Sequence, residues 1–409
     1  MVIPKRNLRS DAAQEILLLI IVTLFWFSQY VYVPYQATYL SSIGVIPSLV
    51  GIVVGAYGLS QLILRMPVGL MVDKRGKHRI FIIVGVLSTG IASLFRISFP
   101  NEFGFLIANL FSGLAAAMWI SFMTLFFTYF DKKELQKASG MILGANNVGI
   151  LLGFVTGTLL NEHFGMRLLC LLSSAAAIPS FLLALCIKEP RVDFKTPPFR
   201  ELIQVYTDKR LIVFALLALV QQGIQASTAM AFTAQVAQAR GANGVQIGLC
   251  SIIFILAAVV SAYFAASKMA QKRGAPFWIP VIMVCLAAYC LLIPNLPTVE
   301  WIYFAQILSG LSAGLLFSFC TSEAMKNIPQ GKTATATGFY QAIYAFGITT
   351  LPILTGAVAD ALNIRGAFYV LAGIAAAGVV GAILFYRLHP KVCDMDADKE
   401  KIEQTEFRD

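Results

Sequence analysis

Apolar runs of about twenty residues recur from one end of the chain to the other, separated by short polar turns. A run of that length crosses a hydrocarbon core of roughly 30 Å as a helix. A helix also satisfies its own backbone polar groups, which lipid cannot do. The pattern predicts twelve spanning helices, over 16–39, 48–72, 80–98, 103–128, 138–160, 167–187, 210–237, 246–267, 276–295, 301–325, 334–359 and 366–387. Gly, Pro and Asn mark the turns, as in Ser42-Ile43-Gly44 and Pro294-Asn295-Leu296-Pro297. The expected fold class is all-α integral membrane. The longest connection, Lys188 to Lys209, holds Pro190, Pro197 and Pro198 and then an amphipathic stretch, Phe199 to Tyr206. It divides the chain into a six-helix bundle over 1–188, a cytoplasmic linker over 189–209, a second six-helix bundle over 210–389 and a polar, acidic tail over 390–409.

Composition agrees with this pattern and narrows it. The chain is 58% hydrophobic and 13% charged, against about 25% charge in a soluble domain. A soluble enzyme with one anchor is excluded. The first apolar segment continues to Tyr39 without a small-residue cleavage pattern, so no cleavable signal peptide is expected. The net charge of +10 would suit nucleic acid, but its placement argues otherwise. With the N-terminus inside, Arg96, Arg167, Arg240 and Arg365 fall on the outer side and Arg65 lies within the second helix. All the other Lys and Arg residues fall in inner segments. That asymmetry predicts a multi-pass protein of the cell membrane with both termini cytoplasmic. The basic charge then reports insertion and contact with the lipid bilayer, and no nucleic-acid partner is expected.

The two halves resemble each other. Ser112-Gly113-Leu114 returns as Ser309-Gly310-Leu311, Lys74-Arg75-Gly76 as Lys272-Arg273-Gly274, and Thr156-Gly157 as Thr355-Gly356, at offsets of 197 to 199. Matches at nearly one offset imply two six-helix repeats. Such a design places a small-molecule site between the halves. Catalytic, metal and cofactor chemistry leave no trace. The seven cysteines are scattered, the three histidines lie far apart, and no phosphate-binding glycine loop is present. No enzyme, no cofactor and no ATP-driven pump is expected.

Between the second and third apolar runs stand Gly69, Asp73, Lys74, Gly76, Lys77 and Arg79. This spacing resembles the signature between helices 2 and 3 of the major facilitator superfamily, and the chain is identified as a member. The resemblance implies a secondary transporter working by alternating access, with a monomer as the expected state. It also implies a gating role for Gly69, Asp73, Arg75, Gly76 and Arg79. Asp73 would latch helix 2 to the start of helix 11, near Thr333 to Thr335. Arg65 has three readings: it snorkels to the inner surface, joins that latch, or binds an anionic substrate. Gly140, Gly149, Gly153 and Gly157 keep the helix 5 spacing of drug and organic-solute antiporters, though Phe154 and Thr158 depart from that pattern, and close helix packing needs such residues too. Where the same antiporters carry an Arg and a Gln in helix 4, this chain has Asn109 and Ser112.

The family's cavity is lined by helices 1, 4, 7 and 10. Helix 1 offers Phe25, Gln29, Tyr32 and Gln36 at helical spacing, and helix 7 offers Gln221, Gln225, Thr228 and Phe232. Helix 4 adds Asn109 and Trp119, and helix 10 adds Gln306 and Phe317. Helices 5 and 11 add Asn146, Asn147, Tyr340, Gln341 and Tyr344. An amide facing lipid is costly, so each should point inward, to a ligand or to a neighbouring helix. No acid lies at mid-membrane depth in any predicted helix. Glu323 is the best candidate for a protonatable group, with a charged helix end near Lys326 as its other reading. The expected function is export of small organic or amphiphilic molecules, with protons as a candidate coupling ion. The alternative is uptake of a neutral polar nutrient such as a sugar or nucleoside.

Overall fold

The computed structural model describes residues 8–130, 134–189, 202, 204–329 and 332–388. The first four spans are α1 (Ala12–Ser42), α2 (Pro47–Val72), α3 (Arg79–Ser98) and α4 (Glu102–Thr128). A segment of 48 residues, Lys137–Ala184, follows. At 1.5 Å per residue it would run about 70 Å as one rod, more than twice the core thickness. Gly165 breaks it with φ 69° and ψ −174°, giving α5 (137–164) and α6 (166–184). The second half holds α7 (Lys209–Ala239), α8 (Gly244–Ala265), α9 (Lys268–Asn295), α10 (Val299–Met325), α11 (Thr333–Ala361) and α12 (Ile364–Leu388). Twelve helices therefore span, in two pseudo-symmetric bundles of six. The turns repeat as well. Gly44 and Gly241 sit at φ 86° and 84°, and Gly76 and Gly274 at φ 60° and 68°.

Gly76 caps helix 2 in the left-handed region, and its N–H bonds back to the Val72 carbonyl. Only a residue without Cβ takes that conformation at little cost. The turn after it is pinned within its own half. The Glu189 carboxylate accepts the backbone N–H groups of His78 and Arg79, at the free N-terminus of α3. Arg79 also donates to the Leu185 carbonyl. Arg79 thus ties α3 to the end of α6 instead of reaching the other half. His78 is buried there, and burial lowers its imidazole to about 4 against the opposing pull of Glu189. It is neutral at pH 7.

The halves meet along α2 and α11, which run antiparallel at backbone contact. A Cβ built on Gly51 would lie 2.3 Å from the Pro352 carbonyl oxygen, on Gly55 2.5 Å from that of Thr349, and on Gly69 2.7 Å from that of Ala334. Small residues at such spacing let helices approach in lipid, where apolar side chains gain nothing by meeting. Within the first half the same device joins α5 to α1: Gly149 and Gly157 face the carbonyls of Thr23 and Val31. Gly140 meets nothing within 4 Å. On the side opposite the basic loops, hydrogen bonds add to the contact between halves. Tyr35 Oη donates to the Gly244 carbonyl at 3.0 Å, and Gln235 Nε2 to Ser41 Oγ at 2.7 Å. The Ser48 N–H donates to Asp360 Oδ2 at 2.9 Å, so a carboxylate at the end of α11 caps the start of α2.

Two outcomes follow. Gly55→Val should cost about 1–3 kcal/mol, because the atom it meets is backbone and cannot give way. Gly144→Ala, with nothing within 4 Å, should be neutral or slightly stabilising. Thermal unfolding of the two purified variants checks the pair. For His78, the unfolded chain binds a proton near pH 6.5 that the folded one refuses until about 4. Its contribution to stability is full above pH 6.5 and falls by about 1.4 kcal/mol per pH unit on acidification toward 4. His78→Gln should remove that part of the pH slope when unfolding is followed from pH 7 to 5.

Candidate functional site

All four helices expected around the centre lose regular geometry near mid-span. In α1 the helix Leu8–Tyr30 ends and Val33–Ser42 restarts. Pro34 has no N–H to give the Tyr30 carbonyl. In α7 the stretch Thr228–Phe232 is a π-turn, about 198 residues on. In α4 the chain breaks at Met118. In α10 Ser312–Leu316 is again a π-turn, at the matching place in the repeat. Such wide turns concentrate at functional sites, because they free backbone groups and re-aim side chains.

A cavity of about 110 Å³ lies beside these breaks. Its wall is made by Gln29, Tyr30, Tyr32, Val33 and Gln36 of α1, Val54 and Tyr57 of α2 and Asn109 of α4. Gln222, Gln225, Ala226 and Met230 of α7 and Ile348 of α11 complete it. Both halves contribute. Two of its glutamines make one interaction twice. Gln29 Nε2 donates to the Ser112 carbonyl at 2.9 Å, and Gln225 Nε2 to the Ser309 carbonyl at 3.2 Å. Gln36 is buried with its Oε1 unpartnered. The wall offers amides, phenols and apolar patches, and no carboxylate.

Of the residues expected here, Gln29, Tyr32, Gln36, Asn109 and Gln225 line the cavity. The others lie elsewhere. Gln221 is fully buried against α10, donating to the Ser312 carbonyl at 3.4 Å. It stands about 100° round the helix from Gln222, which takes the cavity position. Phe232 ends the π-turn and is fully buried in the core. Trp119 packs on Trp26 at 5.3 Å in the core of the first half. Gln306 accepts from Tyr289 Oη at 3.2 Å within the second half. Asn146 and Asn147 are half-buried on α5, and Gln341 is buried on α11, all off this cavity. Tyr344 receives a hydrogen bond from Arg65, which is buried and does not reach the surface. Glu323 is held by Arg210 in an ion pair at the basic ends of α10 and α7. Arg75 closes the last turn of helix 2, just after Asp73; the side chains of both lie outside the described residues.

Sequence reasoning missed Tyr30, Gln222 and Met230, which lie off the single faces read on helices 1 and 7, and Tyr57, because helix 2 was not expected to line the cavity. It also placed Arg96 at the outer surface. Arg96 is 2% exposed. Its Nη2 donates to Asn109 Oδ1 at 2.7 Å and to Ser112 Oγ at 3.0 Å, and its guanidinium lies 3.9 Å from the centre of the Tyr32 ring. Asn109 in turn donates to the Val53 carbonyl at 2.7 Å. A buried cation of α3 thus meets the two side chains that stand where the antiporter pattern has Arg and Gln. The available signal was an Arg with no acid within helical reach, facing an orphan Asn on the next helix.

Comparisons with known proteins agree with this architecture. The sequence profile of the Major Facilitator Superfamily matches residues 18–228 and again 214–404. Over 135 residues the chain is 30% identical to an uncharacterized transporter of Buchnera aphidicola subsp. Schizaphis graminum (strain Sg), covering 33% of this chain and 34% of that protein. Over 136 residues it is 25% identical to an uncharacterized MFS-type transporter of Methanocaldococcus jannaschii, covering 33% and 35%. The alignments thus span about a third of these relatives. The crystal structure of the nucleoside transporter NupG superposes with a TM-score of 0.71 at 14% identity, over 91% of this chain and 99% of that one. A bacterial homologue of the human lysosomal transporter Spinster, in an inward-facing and unoccupied conformation, gives 0.67 at 16% identity, over 92% and 96%. At such identities the likeness shows the fold alone. With the profile matched across both halves, the chain belongs to the Major Facilitator Superfamily and is a transport protein, not an enzyme.

Proposed function

We propose that this transporter exports small organic molecules by alternating access at the central cavity, with both termini cytoplasmic. The observation that carries the site is the cavity itself. It is shared between the halves and lies where α1 and α7 lose regular geometry. The direction rests on the spacing of Gly140, Gly149, Gly153 and Gly157 and its resemblance to antiporters. Glu323 is not the coupling group in this reading, since it is engaged in an ion pair with Arg210 away from the cavity. A second reading, uptake of a neutral polar nutrient, is supported by the four glutamines and three tyrosines of the wall and by the fold shared with NupG. Flux measured in oriented vesicles, with and without a pH gradient, separates the two: accumulation inside right-side-out vesicles would defeat the export reading.

On the basic side, Asp73 latches α2 to the first turn of α11. Two observations support this. Gly69, one turn earlier, lies against Ala334. At the far end of the same antiparallel pair, Asp360 of α11 caps α2 at Ser48, the mirror of the proposed contact. A carboxylate at a helix N-terminus contributes about 0.3–1 kcal/mol, up to about 2 when partly buried.

Gln225→Trp should lower flux about tenfold or more with the fold retained, because the new ring fills the cavity. Radiotracer counterflow and a melting curve on the same preparation check this. Asp73→Asn should shift the ratio of open to closed forms on the basic side by about two- to fivefold. The alkylation rate of a single cysteine placed at Ala226 reads that shift. An unchanged rate and unchanged turnover would remove the latch.

A further inference from the structure

Two buried guanidiniums lie close to the cavity, and among the described residues no acid pairs with either. Among the described residues the buried Lys, Arg, His, Asp and Glu side chains are Arg65, His78, Arg96 and Arg210. His78 is neutral, and Arg210 is paired with Glu323. Arg65 and Arg96 remain, and an arginine keeps its charge at any working pH. Arg96 touches the cavity wall, and Arg65 lies on α2, which supplies Val54 and Tyr57 to it. Arg96 stacks on Tyr32 and bonds Asn109. Arg65 donates to the Tyr344 hydroxyl of α11, with its guanidinium 4.8 Å from the centre of that ring. In each the Nε–H has no partner.

Structure alone does not require these charges. Asn109 and Gln306 are repeat mates, 197 residues apart. In the second half Gln306 receives its hydrogen bond from the neutral Tyr289 hydroxyl of α9. In the first half the matching donor, on α3, is a guanidinium. A phenol satisfies the amide at far lower cost than a buried ion. The charge therefore serves something other than the amide.

We propose that the cavity binds an organic anion presenting carboxylate or phosphate oxygens, met by Arg96 on the α1–α4 side and Arg65 on the α2–α11 side. This rests on the cavity being the transport site. The phenols and glutamine amides donate to the remaining oxygens, and Met230 and Ile348 receive the apolar body. Export of an anion runs with an inside-negative potential and needs no proton carrier.

The test uses the purified full-length protein in detergent at constant ionic strength. Thermal shifts are titrated with inorganic phosphate, acetate, benzoate and phenyl phosphate, with benzamide as the neutral partner and benzylammonium as the cation. Wild type should respond to at least one anion at about tenfold lower concentration than to benzamide. Arg96→Gln should abolish that preference, and Arg96→Lys should retain part of it. Arg65→Gln gives a second, independent loss should Arg96→Gln unfold. The proposal is overturned if no anion shifts the wild type, if benzamide or benzylammonium acts at lower concentration, or if wild type and both Gln variants respond alike. Gln225→Trp separates the two layers of the argument. Should it keep the full anion response that Arg96→Gln loses, anions bind but the cavity is not their site. Should it abolish a response that is neutral or cationic in preference, the cavity is the site and its ligand is not an anion.

Discussion

A polar group in the hydrocarbon region has no water to turn to, so its partner must come from another helix. Much of the interior follows from that constraint. Gln29 reaches from α1 to α4, and Gln225 from α7 to α10. Arg96 reaches from α3 to α4, and Tyr289 from α9 to α10. Ser28, Ser93 and Ser173 join α1, α3 and α6 through their hydroxyls. All of these ties stay inside one half. Each bundle is thereby held as a unit of its own.

Between the halves the chemistry is different. The long contact of α2 with α11 is made of glycine against backbone carbonyl. Such a surface is close but carries few directional bonds, the Arg65–Tyr344 hydrogen bond being one, so little has to break when it slides or rolls. Apart from Arg65 on Tyr344, the directional bonds described across the halves gather at the end opposite the basic loops, through Tyr35, Gln235 and Asp360. Rigid bundles joined by a smooth seam are the mechanical requirement for alternating access. The central cavity lies where that seam and the breaks in α1 and α7 come together.

The repeat makes departures from symmetry informative. Turns, glycines and glutamine ties recur in both halves, so a difference at matched positions has a local cause. The largest is electrical: Asn109 receives its hydrogen bond from a guanidinium of α3, and its mate Gln306 from a phenol of α9 that stands about a turn out of register. The charged residues of the basic loops answer to insertion, whereas the two beside the cavity do not face water at all.

Much of the fold was legible in the sequence, because a bilayer imposes length and polarity on each segment separately. Twelve runs, the break near Gly165 and the two repeats needed only the order of residues. Gly69 and Gly76 were recognisable from spacing. The site was half legible. Gln29, Tyr32, Gln36, Asn109 and Gln225 obeyed helical periodicity, and the cavity received them. Phe232 and Trp119 went to the core, beside a π-turn and a break that no propensity announces, and Gln221 was taken by the Ser312 carbonyl of α10. Arg96 shows the limit most clearly. Its position two residues from a helix end reads as surface, and only the packing of α3 on α4 turns it inward onto Asn109. Segment-by-segment properties belong to the sequence; which way a side chain points, and what it meets there, was decided by the neighbouring helix.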